Sequence, residues 1–129
     1  MLAITLWQPW ATLIAIGAKT IETRSWGTSY RGPLAIHAAK RPMAPHERAP
    51  FEDLLQGCDL PLGHVLAICK LADVWPIRCP WPGLEVVERR LGDFSIGRYA
   101  WFLGAVELVD PPVPARGRQG LWNWDPDET

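Results

Sequence analysis

Thirteen prolines run through the 129 residues, from Pro9 to Pro126, and they set the first limit on the fold. Each one fixes its own φ and removes a backbone donor, so it ends helices and interrupts sheets. The chain is therefore expected to build many short elements rather than long helices. At 48% apolar content it still has enough hydrophobic side chains for one real core, and residues 1–129 read as a single domain. Eight tryptophans are many for this length. Each is core bulk first, and a flat stacking surface for a base only where it reaches a site.

The pattern between the prolines is mixed. Leu2 to Trp7 reads as a first strand. Gln8-Pro9-Trp10 opens a buried helix, with Pro9 suited to its first position, and Gly17 closes it. Thr20 to Trp26 reads as a strand. A turn at residues 27–33 leads to a second strand through Leu34 and Ala38, and the two are expected to pair antiparallel. Residues 43–58 are polar and broken by proline, with room for a helical turn at Glu52. Gly63 to Trp75 is the longest strand-like run, Glu85 to Leu91 a short helix, and Tyr99 to Val109 another strand. Short strands with two or three small helices predict an α+β chain, a small mixed β-barrel with flanking short helices.

One segment concentrates charge. Gly17-Ala-Lys19-Thr-Ile-Glu22-Thr-Arg24 puts three charged side chains in six residues between a hydrophobic helix and Trp26. On a strand, Glu22 and Arg24 share one face and Ile21 and Thr23 the other. Lys19, at the handover from helix to strand, can swing towards Glu22. Charges beside an apolar helix must pair, so the segment is either a salt-bridged structural strand or a ligand-facing site.

Whole-chain charge excludes little locally but argues against a broad polyanion surface. The net charge is −1, which gives no global attraction to duplex DNA or a membrane. No apolar run reaches the length of a bilayer span, and Met1 to Leu6 lacks the features of a secretory signal, so a cytoplasmic location is expected. Cys58, Cys69 and Cys79 are an odd number with no Cys-x-x-Cys pair, so neither a disulfide scaffold nor a zinc site is expected, and no metal or cofactor is implied.

These residues resemble a known family. Gly17-Ala-Lys19-Thr-Ile-Glu22-Thr-Arg24 matches the Gly-x-Lys-x-x-Glu-x-Arg signature of ASCH domains in its helix-then-strand setting. Leu6-Trp-Gln-Pro-Trp-Ala, the strand around His37 and the run from Gly63 to Asp73 are also similar to members of that family. The resemblance implies a PUA-like barrel and a role with RNA or a modified nucleoside. It also implies two possible hydrolytic activities, because some small relatives are amidohydrolases of N4-acylated cytidines and ribonuclease activity has been proposed for others. Lys19 falls on the lysine those amidohydrolases use. Their threonine three residues later is Glu22 here, and Glu85 and Glu88 are the nearest carboxylates in chain order to their catalytic one.

The side chains suit either chemistry. Glu22 can accept from the amino edge of cytosine or adenine or from a ribose hydroxyl, and Arg24 and Lys19 can take a phosphate. Trp7, Trp10 or Trp26 could stack on a base. Arg116 and Arg118, spaced by Gly117, form a second basic group near the C-terminal end. As an enzyme, the chain would rest on Lys19 and Glu22 activating water, since it has no Gly-x-Ser-x-Gly elbow, metal-ligand spacing or Cys-His pair. His37, on an apolar strand, reads as structural, and Trp122 as a core anchor. A third class stays open, in which the charged segment is only structural and the domain contacts another protein.

Overall fold

The computed structural model describes residues 1–127 apart from 82 and 85, so Glu85 lies outside the described residues. Six strands form one sheet in the order β2-β5-β4-β3-β1-β6. They are β1 (Leu2–Leu6), β2 (Ile21–Arg24), β3 (Gly32–Ala38), β4 (His64–Pro76), β5 (Tyr99–Pro114) and β6 (Leu121–Asn123). β1 and β3 run parallel, and every other pair of neighbours is antiparallel. Register shifts along β4 against β5, and one in β3, bend the long strands, and the sheet curls into a half-barrel of mixed strand direction.

Alternation along the strands explains the curl's contents. Ile4, Leu6, Leu34 and Ile36 point inward against α1 (Trp10–Ala15). Trp101, also fully buried, closes this core from β5. Burying Leu13 and Ile14 on α1 contributes ~2 kcal/mol each. On the opposite face Ala3, Ala35 and Val65 are covered by Trp122 and Trp124, so Trp122 is a core anchor, as expected. Cys69 is buried as a small hydrophobe.

The structure corrects the strand pairing. β2 does not lie beside β3; it pairs with β5, with Glu22 opposite Trp101 and Arg24 opposite Tyr99. β3 is buried on both faces and needs a partner on each edge, which β1 and β4 supply. The charged strand goes to the edge of the sheet, where Glu22 is buried and Arg24 is half-exposed. Pro9 likewise sits just before α1 rather than inside it, and the side chain of buried Gln8 accepts the Thr12 N–H at 3.0 Å. β5 also runs on through Pro111, Pro112 and Pro114. Beyond Leu103 it has a strand partner on one side only among the described residues, so missing N–H groups are tolerated on the other.

Short helices complete the frame: α2 (Pro45–Arg48), α3 (Glu52–Leu55) and α4 (Val86–Arg90). Leu91, just after α4, packs with Leu13, Phe51 and Leu55. The excursion between β4 and β5 is thereby laid against α1 and the start of β2, where it forms one wall of a cleft. No described helix is long and apolar enough to cross a membrane.

Candidate nucleic-acid interface

Gly17 turns the chain out of α1 with a φ of +80°, a conformation glycine adopts without strain. The Lys19 N–H then returns to the Leu13 carbonyl at 3.0 Å. This turn sends the Lys19 side chain inward, where it is 1% exposed. Its ammonium donates to the Ile21 carbonyl at 2.8 Å and the Leu91 carbonyl at 2.7 Å, and lies 3.6 Å from Glu22 Oε1. Burial pushes the Lys19 pKa down from its ordinary value, while Glu22 and Glu88 push it back up. Glu88, on α4, accepts from the Thr20 N–H at 2.6 Å, from the Thr20 hydroxyl and from the Ile21 N–H at 3.3 Å. Lys19 and Glu88 thus bind the β4–β5 excursion to the root of β2 from opposite sides.

Glu22 and Arg24 do share a face, and that face lines a cleft of about 500 Å³ with Trp7, Trp10 and Arg98 along its walls. Glu22 Oε1 faces Lys19 and accepts the Thr23 N–H at 3.1 Å, while Oε2 has Arg24 Nη1 at 4.0 Å. Arg24 donates from Nη2 to the Thr5 carbonyl at 3.3 Å, and Arg98 from Nη2 to the Thr23 carbonyl at 3.1 Å. The Nε of each guanidinium is buried without a hydrogen-bond acceptor, with the Arg98 Nε 3.6 Å from Asp93 Oδ2. Burial lowers the Arg24 pKa, Glu22 opposes it, and the neighbouring Arg98 lowers it further. Arg24 and Arg98 thus bring two guanidiniums to one cleft beside Glu22 and Asp93, a mixed-charge lining suited to a polar ligand with acceptor oxygens.

A second, wider groove of about 770 Å³ adjoins the first and shares Thr5, Trp7 and Arg24 with it. Lys40, Arg116 and Arg118 join Arg24 along it, with no carboxylate among the described residues of the lining. Its loop wall is fixed by a relay. Trp122 Nε1–H donates to Thr5 Oγ1 at 3.0 Å. The Thr5 hydroxyl donates to His37 Nδ1 at 3.1 Å, and His37 Nε2–H donates to the Ala115 carbonyl at 2.7 Å. The Ala115 carbonyl can only accept, so Nε2 carries a proton, and with the ring neutral Nδ1 takes the Thr5 hydroxyl proton. Burial holds the His37 pKa below its ordinary value, against the pull of the Ala115 carbonyl and with help from His64 and Lys40. Gly117 lies so close that a Cβ there would come 2.6 Å from His37 Cε1 and 2.7 Å from Thr5 Oγ1.

The expected residues therefore separate into three settings. Glu22, Arg24 and half-buried Trp10 line the first cleft, and Arg24, Trp26, Arg116 and Arg118 the second. Lys19 stands behind the first cleft's wall rather than in it, and Glu88 is committed to the backbone of β2. Sequence reasoning missed Arg98, which lies 74 residues from Arg24 in the chain; no local spacing links them. It could have found Gln8, whose place before α1 let it serve as a side-chain acceptor. Among the described residues, no three His, Cys, Asp or Glu side chains are grouped as metal ligands.

Comparisons with known proteins agree with this architecture. The ASCH domain family model matches residues 4–106. The chain is 35% identical over 79 residues to activating signal cointegrator 1 of Homo sapiens, covering 54% of this chain and 14% of that protein. The Mus musculus protein of the same name matches over the same length and at the same identity. Among solved structures, a point mutant of the ZmASCH protein from Zymomonas mobilis superposes with a TM-score of 0.58 at 17% identity. It covers 97% of this chain and 89% of its own, which is a likeness of fold.

Proposed function

Because this chain belongs to the ASCH domain family, whose members generally bind RNA, we propose that it binds single-stranded RNA, with a base in the Glu22 cleft and phosphates along the adjoining basic groove. The observation that carries this reading is the meeting of the two clefts at Arg24. On one side of it a carboxylate offers an acceptor for an amino edge; on the other, Lys40, Arg116 and Arg118 line a path without acids among the described residues. The net charge of −1 suits such a small footprint, since a long phosphate track needs more cations than this. Lys19 serves by holding Glu22 and the cleft wall. Its three ammonium protons face three oxygens, an arrangement that suits an anchor better than a nucleophile.

Fluorescence anisotropy with a short labelled single-stranded RNA across a sodium chloride series tests the reading. With about three or four phosphates neutralised, log K should fall against log salt with a slope of roughly −2 to −3, and Arg24→Ala should weaken binding without unfolding the chain. No binding at low salt would overturn it. Turnover of N4-acetylcytidine that disappears in Lys19→Ala, with the fold retained, would establish the amidohydrolase reading instead.

A further inference from the structure

Of the eight tryptophans, Trp7 is the most exposed, at 55%, and it lines both clefts. It is nevertheless held in place. The Arg41 guanidinium covers one ring face at 4.0 Å from the centroid, and Arg41 is in turn paired with Glu47 Oε2 at 3.0 Å. Glu47 Oε1 accepts the Ala44 N–H at 2.9 Å, which ties the pair to the start of α2. Next along the chain, fully buried Gln8 pins the backbone through Thr12 and the Pro61 carbonyl.

The other candidate platforms are engaged elsewhere. Trp26 is half-buried and lines only the second cleft, its ring edge-on to Trp101 at 4.9 Å with the Arg24 guanidinium more distant, at 5.8 Å from the centroid, and Trp10 packs edge-on to Phe51 at 6.4 Å. Trp75, also exposed, packs on Phe102 and Trp81 and lines neither cleft. Trp7 alone of these combines high exposure, a cation fixed on one face and a position on the border of the two clefts. An indole in that arrangement favours a flat partner on its second face, and a nucleobase supplies one whatever its identity.

We propose that Trp7, braced by Arg41 and Glu47, is the stacking platform over which an RNA strand passes from the Glu22 cleft to the basic groove. The ligand is then a strand of two nucleotides or more, not a free nucleoside, and the phosphate between them lies at Arg24, which both clefts share. This rests on the RNA-binding reading above and adds to it the ligand's minimum length and its point of stacking.

The test compares wild type, Trp7→Ala, Trp7→Phe and Arg41→Gln with the same labelled RNA, and adds unlabelled cytidine as a competitor. Trp7→Ala should weaken binding roughly 5- to 150-fold, the loss of one base stack, with the salt slope unchanged because no phosphate contact is removed. Trp7→Phe should recover most of the affinity, and Arg41→Gln should fall between them. Cytidine should not displace the strand at concentrations near the strand's own Kd. Wild-type affinity in Trp7→Ala, or displacement by cytidine as readily as by unlabelled RNA, would overturn this inference while leaving RNA binding standing. A wild type that binds no RNA would overturn both.

Discussion

Replacing Lys19 with methionine separates an anchor from a catalyst. The stem keeps its volume, so little packing is lost, but the ammonium goes. Two buried carbonyls, of Ile21 and Leu91, then lose their donor, each at about 1–3 kcal/mol. Glu22 loses the nearer of its two cations, keeping Arg24 at 4.0 Å. Against this, the variant no longer has to bury a charge, which returns a few kcal/mol. The balance is a destabilisation of about 1–3 kcal/mol, or a Tm lower by ~5–10 °C for a domain near this size. Urea unfolding near neutral pH reads it directly, and amide exchange at Thr20 and Ile21 should quicken, because the excursion carrying Glu88 is held less firmly. RNA affinity should fall with loss of the cleft wall and be partly restored under conditions that stabilise the fold. A Lys19→Met protein as stable as wild type would refute the anchoring role, whatever its effect on binding.

Three further outcomes follow from the groove and the core. Gly117→Ala places a Cβ 2.6 Å from His37 Cε1, so the loop must move, at about 1–3 kcal/mol in urea unfolding, and the salt slope of RNA binding should become shallower by about 1 as Arg116 and Arg118 shift. His37 has its pKa lowered by burial, so below an unfolded value of about 6.5 the unfolded chain takes up the proton first; stability is full above that pH and declines as pH falls through it. The urea midpoint should drop between about pH 7.5 and about pH 5.5 more steeply in wild type than in His37→Gln, and equal slopes would contradict the relay. The Cys69 thiol is pushed up to about 12 by burial, whereas Cys79 is exposed, so iodoacetamide followed by mass spectrometry should label Cys79 and leave Cys69 unmodified in the native protein.

Local chemistry made much of this legible in the sequence. Gly17 ending α1, the shared face of Glu22 and Arg24, and the short elements between prolines all depend on near neighbours, whose geometry spacing determines. Pairing was less legible. The turn after Trp26 pointed to a hairpin, but the demand of β3 for two covered faces and two paired edges outweighed it, and β2 took the edge beside β5. The convergence of Arg98 on Arg24 was invisible for the same reason. It depends on where β5 starts relative to β2, a register that follows from packing the whole sheet.

That edge position is also why one signature can serve structure and ligand together. Lys19 and Glu22 are three residues apart, yet the turn at Gly17 sends one into the core and leaves the other at the cleft surface. The buried ammonium holds one carboxylate oxygen from behind, so the other remains oriented toward the cleft without a second side chain competing for it closer than Arg24 at 4.0 Å. Arg24, one alternation further along, is raised on the same face and meets Arg98 and Trp7. Were β2 an interior strand, a neighbour on each side would leave Arg24 no half-exposed face toward the clefts. At the edge Arg24 stays half-exposed, and under the proposed RNA-binding role the row would meet a base on the Glu22 side and phosphates on the side of Arg116 and Arg118.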